Sequence, residues 1–311
     1  MNNNKINNIK YFNLDNINGA KPPIIFPDIY FTPEYGRCCE YSDNAIWELC
    51  KYKDLIYVYL KREHIINNTK YYDLITPYGY SGYYFLKQDT FDEFLILFRK
   101  EAYNKNYIKE IVRQNPYLDN NITNYDILKT KTIYGIEIND YNYYWKNILH
   151  SKKRNMIKKA IKLNLSYELK PINLLLINNI FKDLYQENMI KVNALKYYYF
   201  NDNYFNSLGK LKNTYISIVR ENNKPIGSAI FFVFNKYIHY HLSCNNNSTN
   251  CITDFLLTNV IKELCVNKIL ILGGGLEDGD SLSNFKKKIS NKEYKYTIYE
   301  NIINHKINNI I

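Results

Sequence analysis

One stretch of this chain admits few architectures. Strand-like runs near 214–220, 225–235 and 237–243 are followed by a helical pattern from about 252 to 266, then by an apolar run at 268–272. Phe255, Leu256, Val260 and Leu264 share one face of that helix. Two adjacent antiparallel strands, then a helix, then a strand make an α/β unit with a mixed sheet.

The first half repeats this order more weakly. Asp54-Leu55-Ile56-Tyr57-Val58-Tyr59-Leu60 is β-branched and aromatic, as strands prefer. Phe91, Phe94, Leu95, Phe98 and Ala102 follow helical spacing behind a capping Asp89 or Thr90. Ile133-Tyr134-Gly135-Ile136-Glu137-Ile138 predicts a further strand, and Ile177, Ile180, Phe181, Leu184 and Tyr185 a helical face. From Asp140 to Leu163 the pattern predicts one long basic helix linking two related subdomains.

Leu272-Gly273-Gly274-Gly275-Leu276-Glu277-Asp278-Gly279-Asp280-Ser281 is the densest motif. Four of the 11 glycines fall in seven positions directly after Ile269-Leu270-Ile271-Leu272. Glycine is required where φ is positive or where another group approaches the backbone closely. Asp280 and Ser281 are fit to cap a helix carrying Phe285 and Lys286. Tyr72-Asp73-Leu74-Ile75-Thr76-Pro77-Tyr78-Gly79-Tyr80-Ser81-Gly82 is the second dense motif. Its proline and glycines enforce an irregular loop, and Tyr78 and Tyr80 would line whatever it faces.

The 311 residues carry a net charge of +11. Asn, Lys, Ile and Tyr all have AT-rich codons, so part of the lysine excess is compositional, and arginine carries more weight. Arg154, Lys158 and Lys162, four apart on the basic helix, read either as a solvated face or as a phosphate-binding ridge, with Arg154 as the fork. No secretory signal and no membrane-length apolar run is visible, and the six cysteines include no CxxC pair. A cytoplasmic protein with reduced thiols is expected.

Several chemistries lack their residues. There is no GxSxG elbow, no GxxxxGK[ST] loop and no dinucleotide fingerprint. His239 and His241 alternate on one strand face but have no third ligand at metal-binding spacing. Glu277, Asp278 and Asp280 lack the ligand order of a calcium loop. No metal is expected.

In order, the motifs resemble the FemAB-like branch of the GNAT (acetyltransferase-like) superfamily over roughly 28–290. Tyr30-Phe31-Thr32-Pro33-Glu34-Tyr35 and Thr76–Gly82 resemble its first-domain motifs. Arg113-Gln114-Asn115-Pro116 stands where its members tend to have Arg-x-His-Pro, and Arg154-Asn155-Met156-Ile157-Lys158-Lys159-Ala160 resembles its basic interdomain helix. Leu184-Tyr185, Tyr198-Tyr199-Phe200 and Tyr204-Phe205 follow. Tyr240-His241-Leu242-Ser243, Gly273-Gly274-Gly275, Asp280-Ser281-Leu282 and Phe285-Lys286 match its carboxy-terminal pattern.

The resemblance implies an α/β protein of two tandem GNAT-like domains, each a mixed, largely antiparallel sheet flanked by helices. Residues 1–148, with 295–311 as the segment that would complete them, form the first, and 149–294 the second. It implies transfer of an acyl or aminoacyl group onto an amine of a cell-envelope or surface-saccharide precursor, the acceptor being nucleotide-sugar, lipid-linked or saccharide. Lys286 is the candidate electrostatic group for the oxyanion and His241 a candidate proton acceptor. Arg113 and Arg154 would fix acceptor phosphate or carboxylate. Tyr78, Gly79, Tyr80 and Tyr199 would pack on it beside Gly273, Gly274 and Gly275.

Acetyl-CoA enzymes of the superfamily present a glycine loop for pyrophosphate where this chain has Asn245-Asn246-Asn247-Ser248-Thr249-Asn250. The favoured donor is acyl-CoA, with aminoacyl-tRNA as the alternative and peptidoglycan precursor as its acceptor. The non-enzyme alternative is a basic binding module that keeps the fold. A monomer or weak homodimer is expected.

Overall fold

The aromatic and β-branched runs form the strands of the computed structural model, which describes residues 8–310. The chain divides into two compact units: residues up to Thr130 with Tyr296–Ile311, and Lys131–Lys295. The position 148/149 lies inside the second unit, just before a helix at Ser151–Lys162.

In the first unit, β1 (Lys10–Asn13), β2 (Ile46–Tyr52), β3 (Leu55–Ile66) and β4 (Thr69–Ile75) pair antiparallel in turn. The short β5 (Gly82–Tyr84) pairs with β3, and β6 (Tyr107–Arg113) runs parallel to β4. The last strand of the chain, Lys292–Ile302, lays Ile298–Ile302 antiparallel along β6. Between β5 and β6 the helix Gln88–Asn104 buries Phe91, Phe94, Leu95, Phe98 and Ala102, the face expected from their spacing. They pack into one core with Tyr57, Tyr83 and Val112. Within it the buried Glu110 accepts from Tyr83, Tyr125 and Asn301, so desolvation raises its pKa while those donors hold it down.

The second unit repeats the order. From Lys131 onward β7 (Asp126–Ile138) belongs to it, followed by β8 (Ser166–Pro171), β9 (Thr214–Glu221), β10 (Lys224–Phe234), β11 (Tyr237–Asn245) and β12 (Lys268–Gly273). Their lateral order is β7-β12-β11-β10-β9-β8. Only β11 and β12 are parallel, because the helix Ile252–Leu264 crosses between them. That helix buries Phe255, Leu256, Val260 and Ile261 against Ile136, Ile238 and Leu270 of the sheet.

The basic segment is not one helix. A turn at Tyr141–Tyr143, capped by Asp140, runs into a π turn at Tyr144–Ile148 and stops. Leu149 is extended (φ −63°, ψ 119°) and buried, and His150 Nδ1 accepts from Lys152 N at 3.2 Å to start the helix Ser151–Lys162. The six cysteines are buried and form no disulfide. No helix among the described residues is long and apolar enough to cross a membrane.

Candidate functional site

The glycine loop is built around one carboxylate. Asp280 caps the helix Ser281–Lys287 by accepting from Ser283 N at 2.6 Å, and the same side chain accepts from Leu276 N at 2.7 Å and Glu277 N at 3.1 Å. Those backbone donors, Ser283 first, hold its pKa below the ordinary carboxylate range. Gly275 is required here, because a Cβ would sit 2.2 Å from Asp280 Oδ1. Asp278 accepts from Thr132 N at 2.9 Å, and Asn284 Nδ2 donates to Gly279 O at 2.7 Å. A loop held by so many bonds is a rigid edge.

Lys286 lies in the last turn of that helix, which starts at Ser281 and is seven residues long. Its side chain folds back under the loop, and Nζ donates to Gly274 O at 2.7 Å. The residue is 7 % exposed. Burial pushes its pKa down to about 7; Asp280 opposes that shift and Lys131 adds to it. Beside it, Ser283 Oγ and Tyr134 OH are 3.1 Å apart.

The parallel pairing of β11 and β12 runs from Tyr237/Ile269 to His239/Ile271 and ends. Past that point β12 bulges and puts Gly273 opposite Tyr134 of β7, while β11 continues through His241. Strands that part at the carboxyl ends of a parallel pair leave room for a ligand. Lys286, Gly273, Gly274 and Gly275 thus form one cluster at the end of β12.

His241 is buried, with its ring 4.2 Å from that of Phe232 and Nε2 2.7 Å from Tyr204 OH. Burial, with a smaller push from His239, lowers its pKa well below the ordinary value, so the imidazole is neutral. Its contact is to Tyr204, on which Phe200 stacks at 4.1 Å. Phe200 and Tyr199 line a groove of about 170 Å³ with Tyr185, Gln186, Met189 and Ile190.

Arg154 is turned inward. Its guanidinium donates to Leu149 O at 2.5 Å and Trp145 O at 3.1 Å, capping the carbonyls left open where the preceding segment ends. Lys158 and Lys162 remain exposed, so the expected ridge is a pair of lysines without its fork. Lys153 pairs with the buried Asp254 at 2.9 Å, and its Nζ lies 3.7 Å from the centre of the Phe285 ring.

In the first unit, Tyr78, Gly79, Tyr80 and Arg113 gather at the carboxyl ends of the parallel strands β4 and β6. Arg113 N donates to Thr76 Oγ1 at 2.9 Å and its guanidinium to Thr76 O at 3.1 Å. Tyr35 OH donates to Tyr78 O at 2.8 Å. The Tyr80 ring meets those of Tyr296, Tyr30 and Tyr117 edge-on at 5.3, 5.8 and 6.2 Å. Gly79 has φ 109°, and a Cβ there would lie 2.2 Å from the Tyr30 ring. Tyr78, Gly79, Tyr80 and Arg113 in the first unit, and Gly273, Gly274, Gly275 and Lys286 in the second, thus stand at the end of a parallel strand pair, whereas Arg154, Tyr199 and His241 do not join them.

Among the described residues no group of three or more His, Cys, Asp or Glu side chains is placed to hold a metal ion. Tyr204 stood in an expected motif without a role; Lys131 and the Lys153–Asp254 pair were not singled out by sequence. Their only local signal was Asp254, a charge amid Ile252, Phe255 and Leu256 in the first turn of an apolar helix.

No protein-family model matches the chain, and no curated protein matches it by sequence. Solved structures do. FemX matches with a TM-score of 0.68 at 9 % identity, over 97 % of this chain and 99 % of that one. The C-terminal domain of a putative lysylphosphatidylglycerol synthetase from Agrobacterium fabrum matches with 0.59 at 10 % identity, over 95 % and 94 %. The L-PGS of Bacillus licheniformis matches with 0.53 at 14 % identity, over 83 % and 82 %. At such identities the likeness is one of fold: over nearly its whole length the chain shares the fold of FemX, as the resemblance of the ordered motifs led us to expect.

Proposed function

We propose that the protein is an acyltransferase that moves an aminoacyl or acyl group from an activated ester or thioester onto an amine of a cell-envelope or surface-saccharide precursor. The observation that carries this reading is Lys286: a buried amine with pKa about 7, held 2.7 Å from Gly274 O at the open end of a parallel strand pair. A neutral acceptor amine attacks the acyl carbonyl, and the carbonyl oxygen takes the negative charge. An oxyanion arriving beside Lys286 raises the pKa of that amine and holds it as the ammonium, which stabilises the charge in a partly dry site. Collapse breaks the bond to the leaving oxygen or sulfur, and the proton shed by the attacking nitrogen goes to the leaving group. His241, neutral and engaged with Tyr204, supports Tyr204 and takes no part in this proton transfer.

On the donor, the loop Asn245–Asn250 favours one reading. Asn247 N donates to Asn245 Oδ1 at 2.8 Å and Ser248 N to Asn246 Oδ1 at 3.0 Å, so two of its backbone donors are already used. A pyrophosphate cradle needs such donors open. We therefore place aminoacyl-tRNA ahead of acyl-CoA, and the exposed Lys152, Lys158 and Lys162 suit a phosphate backbone. Tyr78, Tyr80 and Arg113 are assigned to the acceptor. Incubation with labelled charged tRNA or labelled acyl-CoA, over a panel of amine acceptors, tests both points. Product from acyl-CoA alone reverses the donor order, and no product from either donor overturns the transfer reading. Turnover retained by Lys286→Ala overturns the role of Lys286. Binding that is lost with salt but indifferent to Lys286→Ala, without turnover, supports a basic binding module instead.

A further inference from the structure

Beside the groove of Tyr199 the second unit carries a surface that the transfer reading does not use. Ile190 is 69 % exposed, Val192 55 %, Leu195 64 %, Tyr197 39 % and Tyr199 44 %. Single exposed apolar residues are ordinary, but five within ten positions are not. Their exposure does not come from a loose segment. Leu184, Tyr185 and Asn188 bury the helix Lys182–Lys191 from which they emerge, Tyr185 OH donates to Tyr198 O at 3.0 Å, and Phe200 is buried beyond them. The frame is fixed, and it holds these side chains outward.

Between Asn188 and Asn201 the only charges are Lys191 and Lys196, both exposed. The flanking acids lie at the margins, and Asp202 is paired with Lys182 at 2.7 Å. This composition discriminates between occupants. The centre of a protein–protein interface is depleted of lysine. A membrane interface instead takes tyrosine at headgroup level, aliphatic side chains below it, and lysine against anionic lipid.

We infer that this surface, residues 189–199, docks the protein on an anionic lipid bilayer. Ile190, Val192 and Leu195 enter the acyl boundary, Tyr197 and Tyr199 sit at headgroup depth, and Lys191 and Lys196 meet lipid phosphates. Neither the few apolar side chains nor the two charges hold a protein on a membrane alone, so binding needs both. The inference does not rest on acyl transfer, because lipid binding is measured without donor or acceptor.

The test is co-sedimentation of the full chain with vesicles of phosphatidylcholine alone, or of phosphatidylcholine mixed with phosphatidylglycerol. Binding is expected only to the mixed vesicles. Ile190→Ser with Leu195→Ser should weaken it about tenfold or more, and Lys191→Gln with Lys196→Gln about tenfold. Lys152→Gln with Lys162→Gln, which removes the same charge from the helix Ser151–Lys162, should change it less than about twofold. All these positions are exposed, so circular dichroism should report an unchanged fold. As a depth readout, Tyr197→Trp should shift its emission to the blue on binding. The inference is overturned if no vesicle binds, if the two lysine pairs act alike, or if the serine variants bind as the parent does. The first result would leave the surface to a protein partner; the other two would reduce it to general attraction between a basic protein and anionic lipid.

Discussion

The Lys286 ammonium and the Gly274 carbonyl, 12 residues apart in sequence, stand 2.7 Å from each other under a loop whose backbone Asp280 holds in place. The contact ties the last turn of a short helix to the end of β12. It also fixes a buried amine beside the opening where β11 and β12 part. Its chemical value depends on opposed effects: burial, with a smaller push from Lys131, favours the neutral amine, and Asp280 favours the ammonium.

Removing the amine while keeping the bulk separates its roles. Lys286→Met should lower kcat/KM for transfer by about 10²- to 10³-fold, the scale of losing one oxyanion donor. The melting temperature should change little, because the lost hydrogen bond is offset by no longer burying an amine. Single-turnover kinetics beside a thermal melt measures both. A large fall in melting temperature with unchanged kinetics would make Lys286 a purely structural residue.

The same amine sets a pH dependence whose sign is fixed. Its folded pKa of about 7 is below the unfolded value, so between that point and the ordinary lysine range the unfolded chain binds the extra proton. This residue therefore makes stability rise with pH through that window, and its penalty is full below about pH 7. In the proposed role catalysis would run the other way: the charged form would meet the oxyanion, so kcat/KM should fall as pH rises through about 7. Lys286→Arg, charged at every accessible pH, should lose that descending limb even where its rate is lower. A limb that stays in place would assign it to another group.

The legible parts of this molecule were the local ones. The buried face of the helix Gln88–Asn104 follows from apolar spacing, and the cap at Asp280 from an acid before a helical run. The break at Leu149 was not legible, since helical residues continue on both sides. Burial of Leu149 and the inward turn of Arg154 decide it. That turn also removes the guanidinium from the face where sequence spacing set it. Tyr204 and His241 are 37 residues apart, and only the packed sheet brings them together. Sequence spacing marked candidate segments and left open which partner each side chain takes.

Asp280→Ala removes a helix cap and leaves the amides of Ser283, Leu276 and Glu277 without this acceptor. A lost cap costs about 1–2 kcal/mol, and the loop should loosen with it. Because the native carboxylate has a depressed pKa, its stabilisation is present above the ordinary carboxylate range and is lost as pH falls below it. Denaturant melts at neutral and acidic pH should therefore differ more for the parent than for Asp280→Ala. Equal acid sensitivity would show that Asp280 does not couple to folding.

At Gly79 the constraint is steric. Any side chain must adopt φ 109° and displace the Tyr30 ring, which packs on Tyr35 and Tyr80. Gly79→Ala should destabilise the first unit by about 1–3 kcal/mol through strain alone. In the proposed role of Tyr80, acceptor KM should rise with it, because the Tyr80 ring loses its frame. Gly19→Ala, with nothing within 4 Å, is the control and should be near neutral. Denaturation midpoints of the two variants check this.

Lys153 and Asp254 make a largely buried charged pair with much to lose from a single substitution. Asp254 is 4 % exposed, and desolvation raises its pKa against the pull of the ammonium 2.9 Å away. The ammonium also rests on the Phe285 ring, next to Lys286. Asp254→Leu leaves a half-buried cation without its counter-ion and should cost about 3–5 kcal/mol. Lys153→Met on the same background should recover most of that, since two apolar side chains replace two desolvated charges. If Phe285 is positioned by the cation above it, the double variant regains stability but not full kcat, because the ring loses its charged partner. A double variant that recovers both would make the pair a device of packing alone; one that recovers neither would show the pair to be held by more than its mutual attraction.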